Sequence, residues 1–596
     1  MIKVSDYIVK HLAALGARDV FMISGGGAMH LNDSFGHAGK IKYFCNHNEQ
    51  ASAVAAEGYA RYGQDLAVVC VTTGPGGINA LNGVFGAWTD SAPVLYLSGQ
   101  VKFSTTMASC PGVPLRQLGD QEADIISVVK PLTKYAVMVV DPCEIKYHLE
   151  KAIYLAKTGR PGPVWLDIPM NVQAALIDEK KLKKFTPPQK PEYNLKIKQV
   201  SAALKKAKRP LIIAGHGIRL GGARKEFEKL ISLLKIPVVT TFNGFDLLPD
   251  NSPYFAGRIG TVGQRAGNFA LQNADLVLCL GTRNNIRQIS YNYENFAKNA
   301  EKIIVDIDEA ELKKPTIKPD IAVCADAKDF IKALTAQVGD GVKLAQVLPR
   351  PQLAWLARCK ERVKKYPPMR EFEIKENAPV NPYYFTNTLT KLLPKNAIVA
   401  ASNATACLTL FQAGVVSGQR MILNSGNASM GYGLPAAIGA CLAAGRAETI
   451  CLEGDGSIMM NLQELQTIAS AKLPIKVFIF NNNGYISIKQ TQANFFKRFA
   501  ACGCSSGVQM PDFVKVAKAF GLPAVKIKTN KNLRANLKKL LAQKGPLVIE
   551  VITEDDYIFK PKLSSRQLPS GRMVSPSLED MYPFLPKEEI EQNIEH

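Results

Sequence analysis

No apolar stretch in this chain of 596 residues is long enough to cross a bilayer. The longest, Leu434 to Ala444, falls well short of the roughly 20 residues that a spanning helix needs. The amino terminus has no apolar signal-like core either, since Met1-Ile-Lys-Val-Ser-Asp leads straight into an amphipathic helix. Cysteine is present without a pattern. The twelve are scattered, mostly in apolar segments (Cys70, Cys279, Cys441, Cys451), which excludes a disulfide framework and reads as buried thiols. Cys502-Gly-Cys504 is the one close pair, and no second Cys/His pair at zinc spacing accompanies it, which argues against a metal site there. The expected compartment is therefore cytoplasmic, with no membrane partner. The formal charge of +22 is large, but the lysines are dispersed (Lys180 to Lys184, Lys526 to Lys539) without an aromatic-interleaved patch or a nucleic-acid motif. A solvated basic surface is expected, with steering of anionic substrates as a secondary effect and no nucleic-acid partner.

What is present is a threefold α/β rhythm. Residues 1–180 alternate helices with short apolar strands: Val20 to Ile23 running into Ser24-Gly25-Gly26-Gly27, Leu66 to Val71 ending in Thr72-Thr73-Gly74-Pro75-Gly76-Gly77, and Val94 to Leu97. After a Pro-rich linker (Pro187, Pro188, Pro191), residues 195–345 repeat the pattern with Pro210 to Ala214, Pro237 to Thr241, Leu276 to Leu280 and Lys302 to Ile307. A second linker holds Pro349, Pro351, Pro367, Pro368 and Pro382, and residues 380–553 form a third unit. Three doubly wound parallel-sheet domains are the expected fold. Residues 554–596 carry five prolines among Tyr557, Phe559, Met581 and Phe584 and read as an irregular arm that packs on the body or folds over a site.

The third unit contains the most informative stretch. Glu453-Gly-Asp-Gly-Ser leaves the apolar strand Thr449 to Leu452, and Asn481-Asn-Asn-Gly-Tyr485 ends the strand Ile475 to Phe480. Parallel strands joined by a helical crossover place both tips at one carboxyl edge, where open α/β sheets bind ligands. Two glycines allow close approach to phosphate oxygens, Ser457 offers a hydroxyl, and Asp455 with Asn482 offers hard oxygen ligands suited to Mg²⁺ on a diphosphate. A strand-turn-helix with ordinary polar caps would share part of this pattern.

In the first unit, Glu49 follows the short strand Lys42 to Cys45 and opens a helix, Ala51 to Tyr62. A carboxylate there commonly serves as a cap or dipole partner. Here Glu49-Gln-Ala is followed some twenty residues later by Thr-Thr-Gly-Pro-Gly.

Gly-Asp-Gly, 24 intervening residues between Gly456 and Asn481, and then Asn-Asn resemble the thiamine diphosphate (ThDP) signature. With Glu49 and Thr72 to Gly76, and the three units in order, residues 1 to about 555 resemble the acetolactate synthase and pyruvate oxidase superfamily. The resemblance implies that Asp455, Asn482 and the Gly484 carbonyl ligate Mg²⁺. It also places Gly454, Gly456, Ser457, Tyr485, Ile486, Ala404 and Thr405 at ThDP; the family often has Gln-His where this chain has Thr405-Ala406. Met430 props the bent cofactor, the Ala428 carbonyl takes its amino group, and Ser24, Gly25, Pro75 and Asn79 contact it. Glu49 pairs with the aminopyrimidine ring, while Gly25 and Gln121 stand by the reacting carbon. Arg160, Arg283 and Asp306 match an FAD-binding central domain, a fold that relatives keep with and without flavin. Glu49 and Asp455 of one site come from different chains, so a homodimer, or a dimer of dimers, is implied.

Two departures bear on the reaction. Acetolactate synthases carry a Trp after the Asn-Asn loop that grips a second 2-keto acid, and the matching residue here is Thr491, which enlarges the acceptor pocket. Simple 2-keto acid decarboxylases carry a His-His pair that protonates the carbanion; the matching residues are Leu115 and Arg116, and every histidine but His596 precedes residue 217. Lacking that proton donor, the two-carbon carbanion survives to attack an electrophile. Arg287 matches an arginine that contacts the acceptor carboxylate. The expected activity is a carboligase, of transferase or lyase type, acting on pyruvate and an acceptor carbonyl compound such as a keto-sugar nucleotide. Hydrolysis of a cyclic diketone and simple decarboxylation are the rival readings.

Overall fold

Runs such as Ala67–Val71 and Leu276–Leu280 are apolar at every position, and every residue in them is buried. A strand covered on both faces by helices calls for that composition, and a parallel sheet supplies the cover. A computed structural model of the protein describes residues 1–339, 350–416, 418–567 and 569–595. The end of the expected central unit, 340–345, and Pro349 of the second linker lie outside them.

Three six-stranded, all-parallel sheets follow one another along the chain, as expected. The first contains β1 (Asp19–Met22), β2 (Lys42–Cys45), β3 (Ala67–Val71), β4 (Val94–Gln100), β5 (Tyr135–Met138) and β6 (Val164–Pro169), in spatial order 2-1-3-4-6-5. The second contains β7 (Pro210–Ala214), β8 (Val238–Thr240), β9 (Phe255–Arg258), β10 (Leu276–Leu280), β11 (Glu301–Asp306) and β12 (Ile321–Cys324), ordered 9-8-7-10-11-12. That is the 3-2-1-4-5-6 order of dinucleotide-binding sheets. The third contains β13 (Ile398–Ala401), β14 (Arg420–Leu423), β15 (Thr449–Gly454), β16 (Ile475–Asn481), β17 (Ala524–Ile527) and β18 (Leu547–Ile552), ordered 14-13-15-16-18-17. The outer sheets thus share one topology and the middle sheet has another.

The outer sheets pack through two helices, α1 (Glu49–Gly63) and α2 (Gly433–Ala443), within a single apolar core. Their backbones touch. A Cβ on Gly439 would lie 1.8 Å from the Ala55 carbonyl oxygen, and one on Gly58 would lie 2.4 Å from that of Ala436. Small residues at this crossing (Ala55, Ala56, Ala436, Ala440) allow so close an approach.

The Pro-rich carboxyl-terminal segment lies along the middle sheet. Asn268 donates to the Leu578 carbonyl (2.9 Å), Arg265 to that of Met581 (3.1 Å), and Arg362 to that of Asn593 (2.8 Å). Its beginning turns to the third sheet instead, where Tyr557 and Phe559 are buried. Cys70, Cys279, Cys441 and Cys451 are buried thiols as expected, but Cys45, Cys143, Cys324 and Cys504 are exposed, the first and third at strand ends and the other two in short 3₁₀ turns. Among the described residues no helix is long and apolar enough to cross a membrane.

Candidate active site

In a 2-1-3-4-6-5 sheet the chain reverses its winding between strands 1 and 3, and the crevice beyond their carboxyl ends is the natural ligand site. In the first sheet that crevice lies between the loops after β1 and β3. Gly25 follows β1, and a Cβ there would meet the Thr72 side chain at 2.4 Å. Glu49 begins α1, capped by Asn48, whose side chain accepts from Gln50 N. The Glu49 carboxylate is buried, and its Oε2 accepts from Asn79 Nδ2 at 3.0 Å. Asn79 ends the short helix Pro75–Asn79, and a Cβ on Gly76 would lie 3.5 Å from Glu49 Oε1. Gln121 reaches the same loops through its backbone: its carbonyl oxygen occupies the space a Cβ on Gly74 would need, and it adopts a left-handed φ of 61°. Ser24, Gly25, Glu49, Pro75, Asn79 and Gln121 therefore converge on one edge. Arg116 is exposed on the irregular stretch before Gln121.

The equivalent crevice of the third sheet lies beyond β13 and β15, with β16 alongside. Asp455 follows β15 and is 1% exposed, and among the described residues it makes no salt bridge. Its Oδ2 accepts from Asn482 N and Gly484 N (3.0 Å each), and Oδ1 accepts from Gly456 N (2.7 Å). Burial pushes this carboxyl up to about 6 against the pull of those three N–H groups. Asn482 Nδ2 donates to the Gly484 carbonyl at 2.7 Å. A buried carboxylate, an amide and a carbonyl within hydrogen-bond distance form a hard-oxygen donor set that fits Mg²⁺. Gly454 precedes this set. Ser457 Oγ accepts from Gly431 N (2.9 Å) and lies 2.5 Å from Ser402 Oγ, and the Tyr485 ring fills the space beside Gly456. Ile486 opens α3 (Ile486–Phe495), on which Thr491 is exposed, its hydroxyl donating to the Ser487 carbonyl (3.0 Å).

Backbone strain gathers here. Ala404 and Ala428 hold left-handed φ values of 49° and 54°, uncommon for residues with a Cβ and concentrated at functional loops. Asn424 Oδ1 accepts from Asn427 N (3.1 Å) and Ala428 N (2.9 Å), which fixes the loop that ends at half-buried Met430. The Ala428 carbonyl accepts from Asn403 Nδ2 at 3.3 Å. Thr405 meets the Tyr557 hydroxyl in a hydrogen bond.

Several neighbours escape sequence reasoning. Glu464 accepts from Asn46 Nδ2 and His47 N (2.8 Å each), so it ties the third unit to the approach of Glu49. Lys489 donates to the Asn482 and Asn483 carbonyls (3.2 Å each). Glu453 is buried, its Oε1 accepting from Leu434 N (2.9 Å), and burial pushes it up to about 7. Only Glu453 and Tyr557 had a local signal, the first beside the Gly-Asp-Gly turn and the second as an aromatic in the proline-rich segment. Among the described residues, the hydrogen-bond partners of the Glu49 carboxylate and those of the Asp455 carboxylate have no member in common.

The middle sheet carries a cavity of about 800 Å³ at its own switch point, lined by His216, Arg283, Arg287 and Asp306 among others. Asp306 ends β11, takes the Asp308 N–H at 3.0 Å, and is pushed up to about 6 by burial. Both ring nitrogens of His216 are buried without a partner. Arg160 pairs with Asp308 (3.0 Å) and Glu311 (2.9 Å), and Arg287 lies over the Phe242 ring, 5.3 Å from its centroid. A strand-end carboxyl, buried open hydrogen-bonding groups and this strand order fit a dinucleotide such as FAD. One wall belongs to all three units, because Asp90 Oδ1 accepts from Asn243 Nδ2 (3.0 Å) and Gly426 N (3.2 Å). Behind it Asp246 is buried, which disfavours its charge, but Arg420 (2.7 Å) and Arg219 (2.9 Å) hold it far below the usual carboxylate range.

Comparisons with known proteins agree with this layout. Residues 2–127 match the family model of the thiamine pyrophosphate enzyme N-terminal TPP binding domain, 197–334 that of the central domain, and 404–551 that of the C-terminal TPP binding domain. The acetolactate synthase large subunit of Cyanidium caldarium is 33% identical over 562 residues, covering 92% of each chain. A probable acetolactate synthase large subunit of Methanocaldococcus jannaschii is 32% identical, over 93% of this chain and 92% of its own. Acetolactate synthase 1, chloroplastic, of Zea mays is 31% identical, over 94% and 87% respectively.

Proposed function

Because the chain belongs to the acetolactate synthase-like family of thiamine pyrophosphate enzymes, we propose that it decarboxylates pyruvate and joins the two-carbon unit to the carbonyl of a keto-sugar nucleotide. ThDP-dependent carboligation is the family's chemistry; Mg²⁺ and the acceptor are our reading. The observation that carries the cofactor half is the buried Asp455 with Asn482 and Gly484 at the third sheet's switch point.

Thiamine diphosphate, when bound, supplies the nucleophilic carbon and the electron sink for loss of CO₂. Asp455, Asn482 and the Gly484 carbonyl would hold Mg²⁺, with Gly454, Gly456, Ser457, Tyr485, Ile486, Ala404 and Thr405 around the diphosphate. The Ala428 carbonyl and Met430 would orient the rings. Glu49 keeps a proton-exchanging carboxyl in a buried, Asn79-oriented position, with Ser24, Gly25, Pro75 and Gln121 closing the reacting side. The separate hydrogen-bond partners of Glu49 and Asp455 support a homodimer, or a dimer of dimers, in which each site draws on both protomers. Arg160, Arg283 and Asp306 would hold FAD in the central cavity, there as a structural group. The twelve unpaired cysteines support a reducing, cytoplasmic compartment.

Thr491 carries the acceptor half. Exposed and small on α3, it leaves room for a large acceptor, with Arg287 and Arg116 as candidate anion contacts. Incubation of pyruvate with keto-sugar nucleotides, followed by mass spectrometry, should give branched-sugar adducts. Acetolactate as the only efficient product would refute the acceptor assignment.

A further inference from the structure

We infer that the turn Phe495–Phe499 is the recognition surface for the nucleotide end of the acceptor, its phenylalanines stacking on the base and its cations meeting the diphosphate; this rests on the acceptor reading above. The turn is built rather than loose. The Gln492 side chain donates to the Ala500 carbonyl and accepts from Ala500 N (2.9 Å each), while its own carbonyl accepts from Phe496 N (2.8 Å) and Lys497 N (3.0 Å). Lys497 takes a left-handed φ of 54° to close the turn.

What the clamp presents is unusual for a surface. Phe495, Phe496 and Phe499 are 41%, 62% and 55% exposed, and the rings of Phe495 and Phe496 lie 6.4 Å apart. Between Phe496 and Phe499 stand Lys497 and Arg498, whose side chains make no ion pair or hydrogen bond among the described residues. Aromatic faces beside unpaired cations bind nucleotides with little regard to base identity.

The turn also belongs to the candidate active site. Helix α3 leaves the metal loop at Ile486 and, at about 1.5 Å per residue, carries the chain about 15 Å outward to the turn. The chain then returns at once: Tyr485 N donates to the Cys502 carbonyl (2.9 Å), and Gly484 pairs with Gly503. Phe499 is three residues from Cys502, hence within about 10 Å of that contact. An acceptor that lies along α3, past the small and exposed Thr491, would bring its diphosphate and base to the turn.

The test uses the ThDP- and Mg²⁺-loaded enzyme and calorimetric titration with UDP, CDP, dTDP and GDP as probes. At least one should bind. Phe496→Leu and Phe499→Leu should each weaken it about tenfold, and Phe496→Tyr should restore it. Lys497→Gln/Arg498→Gln should weaken the diphosphate while leaving the parent nucleoside's affinity unchanged. In turnover, the KM for the keto-sugar nucleotide should rise about tenfold with kcat retained. Unchanged probe binding in the leucine variants, or no probe binding to the wild type, overturns the assignment. So does a fall from dimer to monomer on size exclusion in Phe496→Leu, which would make the turn a subunit contact. A wild type that produces branched-sugar adducts with variants that bind UDP normally refutes this surface alone, whereas a wild type that makes only acetolactate refutes the acceptor reading beneath it.

Discussion

Asp455 and Asn482, on loops 27 positions apart in the chain, are locked by a single contact: the carboxylate Oδ2 accepts the Asn482 backbone N–H at 3.0 Å. The same oxygen takes Gly484 N, so two strand tips close over one buried anion. Without a cation that anion is expensive to bury, and the divalent metal proposed above would offset the cost.

Asp455→Ala should therefore weaken uptake of ThDP in the presence of Mg²⁺ by at least about 100-fold, a loss of the size expected when a metal site loses a key group. Calorimetric titration would measure it. Removing Mg²⁺ from the wild type with a chelator should have the same effect and be reversed by adding it back.

Glu49→Gln should separate binding from turnover. The side chain keeps its length and its place beside Asn79, so ThDP uptake should change by less than about tenfold. Loss of its proton exchange should lower CO₂ release from pyruvate by about 10²–10⁴-fold. Parallel titration and CO₂ assays would check this, and unchanged turnover would remove Glu49 from the mechanism.

Gly439→Ala places a methyl group 1.8 Å from the Ala55 carbonyl oxygen, where two helix backbones meet and neither can yield locally. A destabilisation of about 3 kcal/mol is expected. The first unfolding transition in urea should move to lower concentration. Gly445→Ala is the control for crowding: a Cβ there meets nothing within 4 Å, leaving only the cost of its left-handed φ of 69°.

Asp167 sets a pH dependence. It is buried on β6, with Ser98 Oγ donating at 2.6 Å and Gln100 Nε2 at 3.1 Å. Burial, the larger effect, pushes it up from 3.8 to about 7. A carboxyl raised on folding retains a proton that the unfolded chain loses, so its contribution is complete below about pH 4 and lost as pH rises through about 7. Stability of the wild type should fall across that window, and Asp167→Asn should flatten the fall. Thermal melts at pH 5, 6, 7 and 8 would show it.

The elements that were easy to read are the long apolar ones. Pro210–Ala214 and Leu276–Leu280 have the expected bounds, as does the four-residue edge strand Lys42–Cys45, which the motif at Asn46 to Glu49 marks, and the β15 and β16 tips lie at one edge as crossover geometry requires. Others carried too little signal. Tyr135–Met138 and Arg420–Leu423 are four-residue edge strands, too short to stand out without a motif directly after them, and Val164–Pro169 is interrupted by an ionisable Asp167, which Ser98 and Gln100 satisfy. Glu49 and Asn79 could be singled out because each sits in a motif. Glu464 could not, since nothing around it marks a residue that accepts from Asn46, 418 positions away.

The sequence by itself determined the class of fold and the chemistry at each strand tip, because apolar runs, glycine turns and an Asp set 27 residues before an Asn act through local geometry and spacing along the chain. Only the tertiary structure decided which tips face one another. The backbone contact at Gly58 and Gly439, the Asp246 cluster with Arg219 and Arg420, and the placement of Tyr557 on Thr405 all join segments far apart in the chain. Contacts of that kind are selected by packing and by the need to pair buried charge, and neither demand leaves a mark on the neighbouring residues.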